Sequence, residues 1–145
     1  MLRIQLQHHD GSFIQKVFDV GIVPNLVDFM AAESNPHLIK EATWCLANIT
    51  AGEGLYIKSI ASSSFFDYLG RVLGSVHDGI YEQAVWIVGN ISADDYEYRE
   101  EMRRLRFPQI ITERIVSQDS EKKELMKYSN WALSNLCRGD VTHRV

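Results

Sequence analysis

The amino-acid sequence predicts an all-α solenoid of about three repeats, each built from three helices. A motif of Trp-x-x-x-Asn followed by an aliphatic residue occurs at Trp44, Trp86 and Trp131. The tryptophans are 42 and 45 residues apart, a period typical of helical repeat proteins. In addition, no run of alternating apolar residues indicates a β-strand.

Each motif lies in a predicted helix that buries one stripe of residues and displays another. Apolar or small residues recur at spacings of 3, 4 and 3, which trace one face of an α-helix. Tryptophan and asparagine, four residues apart, share a different face. The predicted buried stripes are Ile39, Ala42, Leu46 and Ile49, then Tyr81, Ala84, Val88 and Ile91, then Met126, Ser129, Leu133 and Leu136.

Within each repeat, a short helix and a middle helix are predicted to precede the long one. Gly21 should end the first helix, Pro24 lies near the start of the second, and Asn35 should cap the third. We expect residues 10–145 to form one domain, with repeats at about 12–53, 54–94 and 95–139. Residues 1–9 are expected to be the tail of a preceding helix or a disordered start.

The composition and the absence of several motifs argue against some classes of function. The chain has 145 residues, 46% of them hydrophobic, and a net charge of −4, which argues against a nucleic-acid partner. Neither Cys45 nor Cys137 lies in a C-x-x-C pair, so no metal site is expected. No signal peptide, membrane-spanning run, cofactor motif or catalytic motif is present. We therefore expect a soluble intracellular protein that is not an enzyme.

The segments WCLANITAG, EQAVWIVGNISAD and NWALSNLCRG resemble consecutive armadillo repeats of the importin-alpha family. They are similar to its second to fourth repeats, which form the major groove for nuclear localisation signals, and the resemblance covers about residues 12–139. It implies a right-handed superhelical solenoid of the armadillo type. It also implies a nuclear-import adaptor, present in cytoplasm and nucleus, that binds the lysine- and arginine-rich signals of cargo proteins.

The resemblance also implies the residues of a peptide site. In that family the tryptophans form slots for lysine stems, asparagines hold the peptide backbone, and an acidic residue together with a glycine carbonyl binds the most buried lysine. Gln83 and Arg138 fall on further family positions. The implied set is Trp44, Asn48, Gly52, Gln83, Trp86, Asn90, Asp94, Trp131, Asn135 and Arg138.

The chain departs from the family pattern at two pocket positions. Ile57 stands where the family has a threonine, and Tyr128 stands where it has an asparagine. The basic autoinhibitory segment that binds importin-beta in the family is absent from the 145 residues. The resemblance therefore does not extend to coupling with importin-beta.

The residue chemistry suits an extended basic peptide. An asparagine amide has two donors and one acceptor, which match one peptide unit. Lysine and arginine stems can lie along indole rings while their charged ends reach past them. A carboxylate such as Asp94, near a helix C-terminus, suits an ammonium group with three donors.

Other interpretations remain open for the same residues. The asparagines could be buried amides that tie neighbouring repeats together, the tryptophans could be core residues, and Asp94 could be a solvated loop charge. Arg103, Arg104 and Arg106 are interpreted as a solvated helix face. The alternative function is an armadillo scaffold that acts through protein–protein contacts or through self-association at exposed repeat ends.

Overall fold

A computed structural model describes residues 11–32, 34–118 and 121–139. These residues form nine α-helices and no strand, which confirms the predicted all-α class. The helices are α1 Gly11–Asp19, α2 Val23–Met30, α3 Pro36–Thr50, α4 Gly54–Ile60, α5 Ser63–Leu73, α6 Asp78–Asp94, α7 Tyr96–Arg104, α8 Phe107–Ser117 and α9 Lys123–Leu136. The expectation for residues 1–9 lies outside the described residues.

Helix boundaries follow the predicted stop and start residues. Gly21 has a φ of +75°, a left-handed conformation that glycine adopts without strain, and it follows the end of α1. Pro24 lies in the first turn of α2. Asn35 caps α3, because its side-chain oxygen accepts a hydrogen bond from the Leu38 amide at 3.1 Å. Local sequence therefore sets where these helices begin and end.

The three long helices α3, α6 and α9 stack side by side, with α6 packed against both of the others. The middle helices α2, α5 and α8 form a second stack, each beside the long helix of its own repeat. The predicted stripe on α6 is entirely buried, whereas Ile39 on α3 and Met126 and Leu133 on α9 are only half-buried. This difference follows from position, since α6 has a long helix on either side.

Polar contacts join the second and third repeats within this apolar packing. Tyr81 is fully buried and its hydroxyl lies 2.7 Å from the Ser129 hydroxyl, which itself donates to the Leu125 carbonyl. Tyr81 is therefore the donor, and burial raises its pKa. At the start of α6, Asp78 accepts hydrogen bonds from Arg114 at 2.5 Å and Lys122 at 2.6 Å. The bond from Lys122 is the main reason why the pKa of Asp78 is lowered.

Arg103, one of the three arginines predicted to form a solvated helix face, binds backbone carbonyls instead. Arg103 donates through Nε to the Leu136 carbonyl at 2.8 Å and through Nη2 to the Arg138 carbonyl at 2.5 Å. Arg99 is buried and donates to the Ser92 carbonyl at 2.9 Å. The interpretation is wrong for Arg103, because its side chain binds the open carbonyls at the end of α9.

Membrane-spanning helices and clusters of metal-ligating side chains are both absent from the described residues. No described helix combines the length and the apolar character needed to cross a membrane. Histidine, cysteine, aspartate and glutamate side chains nowhere gather, within this part of the chain, into a group of three or more that could hold a metal ion.

Candidate peptide-binding groove

The three predicted Trp–Asn pairs lie one on each long helix. Trp44 and Trp86 are half-buried, and Trp131 is 38% exposed. We call the space between Trp44 and Trp86 the first slot, and the space between Trp86 and Trp131 the second slot. Because each slot lies between neighbouring long helices, the two should be alike if the repeats were identical.

The first slot is open. It contains a cavity of about 270 Å³. Aromatic rings border it on α3 and α6, and polar side chains from both helices reach it. Its lining residues are Trp44, Ala47, Asn48, Ala51, Glu82, Gln83 and Trp86. A cavity with aromatic walls and a carboxylate at its edge can take an aliphatic stem that ends in a positive charge.

Glu82 is the lining residue that sequence reasoning missed. It lies four residues before Trp86, so helical spacing alone places it on the same face as the indole. Asn90 lies four residues after Trp86, so Glu82 and Asn90 flank the indole on one face of α6. Glu82 gives the first slot a negative charge that the sequence-based site did not include.

The second slot is closed by aromatic rings. The Trp86 and Trp131 ring centroids are 5.7 Å apart, with their planes tilted by 52°. Tyr128 packs against Trp86 at a centroid distance of 4.7 Å in an edge-on arrangement. Three rings from two repeats therefore fill the space that would correspond to the first slot.

Gly89 makes this closure possible. A Cβ atom at Gly89 would lie only 2.0 Å from Cζ3 of Trp131, far inside van der Waals contact. The indole therefore lies directly on the backbone of α6. At the same position of the first slot, three residues after Trp44, Ala47 carries a methyl group. The residue three after the tryptophan therefore differs between the slots: a cavity lies beside Ala47, whereas the Trp131 indole occupies the space beside Gly89.

The asparagine side chains make different contacts in the three repeats. Asn48 donates through Nδ2 to the Trp44 carbonyl of its own helix at 2.9 Å. Asn90 donates across the repeat boundary to the Ala47 carbonyl and the Thr50 hydroxyl, each at 3.3 Å. Asn135 donates to the Gly89 carbonyl at 3.0 Å and is only 2% exposed. Asn135 thus has the geometry of a buried amide that ties two repeats together.

The predicted lysine pocket brings together the end of α6 and the start of α4. A Cβ atom at Gly54 would lie 2.7 Å from Oδ1 of Asp94, so the carboxylate lies against that glycine. Gly52 is exposed two residues earlier in the same turn. Ile57 is 3% exposed and belongs to the core, so it offers no group to the pocket.

Two further predicted residues, Gln83 and Arg138, lie in different repeats. Gln83 is half-buried and lines the first slot. Arg138 lies beyond the end of α9, where its side chain is exposed and its carbonyl accepts the bond from Arg103. The described residues therefore gather Trp44, Asn48, Gln83 and Trp86 around one cavity, with Arg138 at the far end of the third repeat.

The sequence was compared with families and with curated proteins. Residues 12–51 match the family described as Armadillo/beta-catenin-like repeat. Over 128 residues the chain is 34% identical to importin subunit alpha-2 of Arabidopsis thaliana. The aligned region covers 87% of the chain and 23% of that protein. Over 126 residues it is 32% identical to importin subunit alpha-1a of Oryza sativa subsp. japonica. That aligned region covers 87% of the chain and 24% of the rice protein. Residues 12–51 are therefore an armadillo-type repeat, within a chain that is similar to importin alpha subunits.

Solved structures give the same fold. An engineered protein superposes on this chain with a TM-score of 0.81 at 25% identity, and the superposition covers 93% of the chain and 53% of that protein. A designed armadillo repeat protein solved in complex with the peptide (KR)4 superposes with a TM-score of 0.75 at 24% identity, covering 88% and 52%. The predicted armadillo-type solenoid is therefore confirmed.

The curated relatives are longer than this chain. The chain spans about a quarter of the length of the importin alpha subunits that it matches. The resemblance to importin alpha seen in the three Trp–Asn motifs is confirmed by these relatives.

Proposed function

We propose that this chain binds extended lysine- and arginine-rich peptides along its long helices and acts as an importin-alpha-like adaptor for nuclear localisation signals. The open first slot carries the proposal. Its cavity of about 270 Å³ has indoles on two sides and the Glu82 carboxylate at its edge. A lysine stem would pack on the rings while its ammonium reaches the carboxylate.

The amides of the first two repeats supply groups for a peptide backbone. Asn48 and Asn90 are half-buried, and each uses Nδ2 for a contact within the protein. Asn90 uses Nδ2 for two such contacts, whereas Asn48 has a second N–H, and both amides have a carbonyl oxygen, so each can also bind a group of a peptide unit. Asn135, at 2% exposure, would need α9 to move before it could do so. We therefore assign the backbone-holding role to Asn48 and Asn90.

Asp94 is proposed to bind a lysine ammonium at the junction of α6 and α4. Its carboxylate is exposed beside Gly54, at a helix C-terminus where backbone carbonyls are open. Glu82 in the first slot and Asp94 at this junction both carry negative charge, which attracts a cationic peptide to the groove. The designed armadillo protein bound to (KR)4 supports the idea that this fold can hold a chain of alternating basic residues.

The cellular role follows from the relatives and is part of the proposal. Importin subunits alpha from Arabidopsis, Oryza and Dictyostelium match between 87% and 96% of this chain. An adaptor of that kind would meet cargo proteins in the cytoplasm and accompany them into the nucleus. The partners proposed for this chain are therefore cargo proteins that carry lysine- and arginine-rich signals.

Calorimetric titration with a Lys-Lys-Lys-Arg-Lys peptide at two salt concentrations tests this function. We expect binding that weakens with salt, because the contacts involve charges. Asp94→Asn should weaken it by about 10- to 100-fold, since a charge-assisted hydrogen bond contributes about 1.5–3 kcal/mol. Trp86→Ala should also weaken it.

Asp95→Asn is the matched control, because it removes the same charge one residue away. Asp95 caps α7 by accepting from the Glu97 amide, a contact that asparagine preserves. Equal losses for the two variants would contradict the assignment of Asp94 and indicate a general charge effect. A folded parent chain that does not bind the peptide at low salt would exclude the proposed function.

Exposed apolar side chains favour the scaffold alternative as a second candidate. Val76 and Val116 are each 80% exposed, and a partner protein or a second copy of the chain could cover such side chains. Analytical ultracentrifugation separates the two candidates. A monomer that binds the peptide supports the adaptor, and a concentration-dependent dimer without peptide binding supports self-association.

A further inference from the structure

The two slots can be compared by their position in the repeat. Three residues before each tryptophan stand Glu41, Gln83 and Tyr128. Gln83, on the second long helix, lines the open first slot. Tyr128, at the same position of the third long helix, packs edge-on against Trp86 in the second slot. This position therefore determines what fills the space between neighbouring tryptophans.

We propose that Tyr128 is a specificity-determining residue that closes the second slot, so that the groove admits a basic side chain between Trp44 and Trp86 and none between Trp86 and Trp131. The inference rests on the proposed peptide-binding function and states which peptides the site accepts. A peptide for this chain needs a long basic residue at the first slot. Two positions further along, it gains nothing from a second one.

Ring distances support the closure. An aliphatic stem between two rings needs about 7–8 Å between them, because carbon atoms in contact lie about 3.5–4.0 Å apart. The Trp86 and Trp131 centroids are 5.7 Å apart, and Tyr128 lies at 4.7 Å from Trp86. A lysine stem could enter only if the Tyr128 ring were absent, so that the Trp131 indole, which is 38% exposed, could turn away from Trp86.

Gly89 is the second difference between the slots. Ala47 keeps a methyl group on the floor of the first slot, and the cavity lies above it. Gly89 has none, and Trp131 occupies the resulting space. Closure of the second slot therefore depends on two positions that differ between the repeats. One carries Gly89 in place of Ala47, and the other carries Tyr128 in place of Gln83.

A reciprocal exchange of the two side chains tests the inference. Tyr128→Gln gives the second slot the residue of the first, and Gln83→Tyr gives the first slot the residue of the second. Each variant is titrated with Lys-Lys-Lys-Arg-Lys and with its five single-alanine replacements. The number of positions at which alanine weakens binding reports how many side chains are held, which a merely structural role of Tyr128 would not change.

Tyr128→Gln should bind the parent peptide about 2- to 30-fold more tightly, the range expected for one added cation–π contact. It should also gain one alanine-sensitive position, two residues from the position held by the first slot. Gln83→Tyr should lose one sensitive position and bind more weakly. Tyr68→Gln, which removes a half-buried tyrosine on α5, should leave both the affinity and the pattern unchanged.

Each outcome has a distinct meaning. If the parent chain binds and Tyr128→Gln shows the same affinity and the same sensitive positions, Tyr128 does not set specificity and the inference fails while the function stands. If circular dichroism shows folded protein but neither parent nor variant binds, the proposed function fails and the inference fails with it. Should Tyr128→Gln not fold, Gln83→Tyr still decides: an unchanged pattern in that variant overturns the inference.

Discussion

At the scale of single residues, one missing methyl group shapes half of the groove. Gly89 brings the indole of Trp131 onto the backbone of α6, and a Cβ there would lie 2.0 Å from the ring. Such an overlap can be relieved only by moving one of the two groups. Trp131 is 38% exposed, so it can move into solvent at lower cost than the buried helix backbone.

We predict that Gly89→Ala displaces the Trp131 side chain. In a Trp44→Phe/Trp86→Phe background, Trp131 is the single tryptophan, and its emission should shift to the red and become more sensitive to acrylamide. Stability is a poor readout here, because alanine also favours the helix by about 1 kcal/mol. Ala47→Gly, at the same position of the first slot, should leave the emission unchanged, and an unshifted Gly89→Ala variant would contradict the close contact.

The limits of prediction are also visible at this scale. The sequence marks Trp86 and Trp131 as equivalent members of one motif, and it marks Tyr128 as different. It does not say that the three rings meet, because their contact depends on how closely α6 and α9 approach. The approach in turn depends on Gly89, whose small size has several possible meanings in a sequence.

At the scale of helices, most boundaries could be predicted because they depend on neighbouring residues. Asn35 and the prolines at the helix starts act within one turn. The role of Arg103 could not be predicted in this way, since its acceptors on Leu136 and Arg138 are 33 and 35 residues away. A polar face on a helix predicts contact with solvent. The sequence of that helix does not reveal a hydrogen-bond acceptor that lies far away in the chain.

Arg103 should therefore stabilise the end of α9, and its neighbour provides the comparison. Its side chain is 29% exposed and binds two backbone carbonyls, so Arg103→Gln should lower the free energy of unfolding by about 1–3 kcal/mol. Arg104 is 67% exposed and pairs with Glu101 on its own helix, and Arg104→Gln should change it little. Urea unfolding of both variants measures the difference, and equal effects would show that the capping contacts do not matter.

At the scale of the whole molecule, the recurrence of one motif made the fold predictable. Three copies in register require three similar units, and such units bury their faces only against one another. The site was less predictable, because the slots are spaces between units and depend on inter-repeat distances. The inter-repeat bonds of Asn90 and Asn135 illustrate this, since the same residue type at the same position makes a different contact on α3.

Contacts between repeats should make the stability of the solenoid depend on pH through Asp78. Its pKa is lowered below the ordinary value of 3.8, mainly by Lys122 and also by Arg114. A lowered pKa stabilises the folded state fully above 3.8, and this contribution is lost as the pH falls through the lowered pKa. Because Asp78 is 43% exposed, solvent screening keeps the contribution below about 1 kcal/mol.

Asp78→Asn should therefore lower the melting temperature at pH 7, and the difference from the parent should shrink as the pH falls below about 4. Thermal unfolding between pH 2.5 and 7 measures this difference. Asp28→Asn, which changes an exposed carboxylate on α2, is the control and should match the parent throughout. A constant difference for Asp78→Asn at all pH values would mean that its charge is not what joins the repeats.

The contact between Trp86 and Trp131 also has an optical consequence. Two indole rings 5.7 Å apart and tilted by 52° lie close enough for their electronic transitions to couple, which gives paired bands of opposite sign in circular dichroism. The coupling falls steeply as the rings separate. The circular dichroism of the Trp86–Trp131 pair can therefore report, without any added label, whether a peptide, a solvent or a mutation has separated these two repeats.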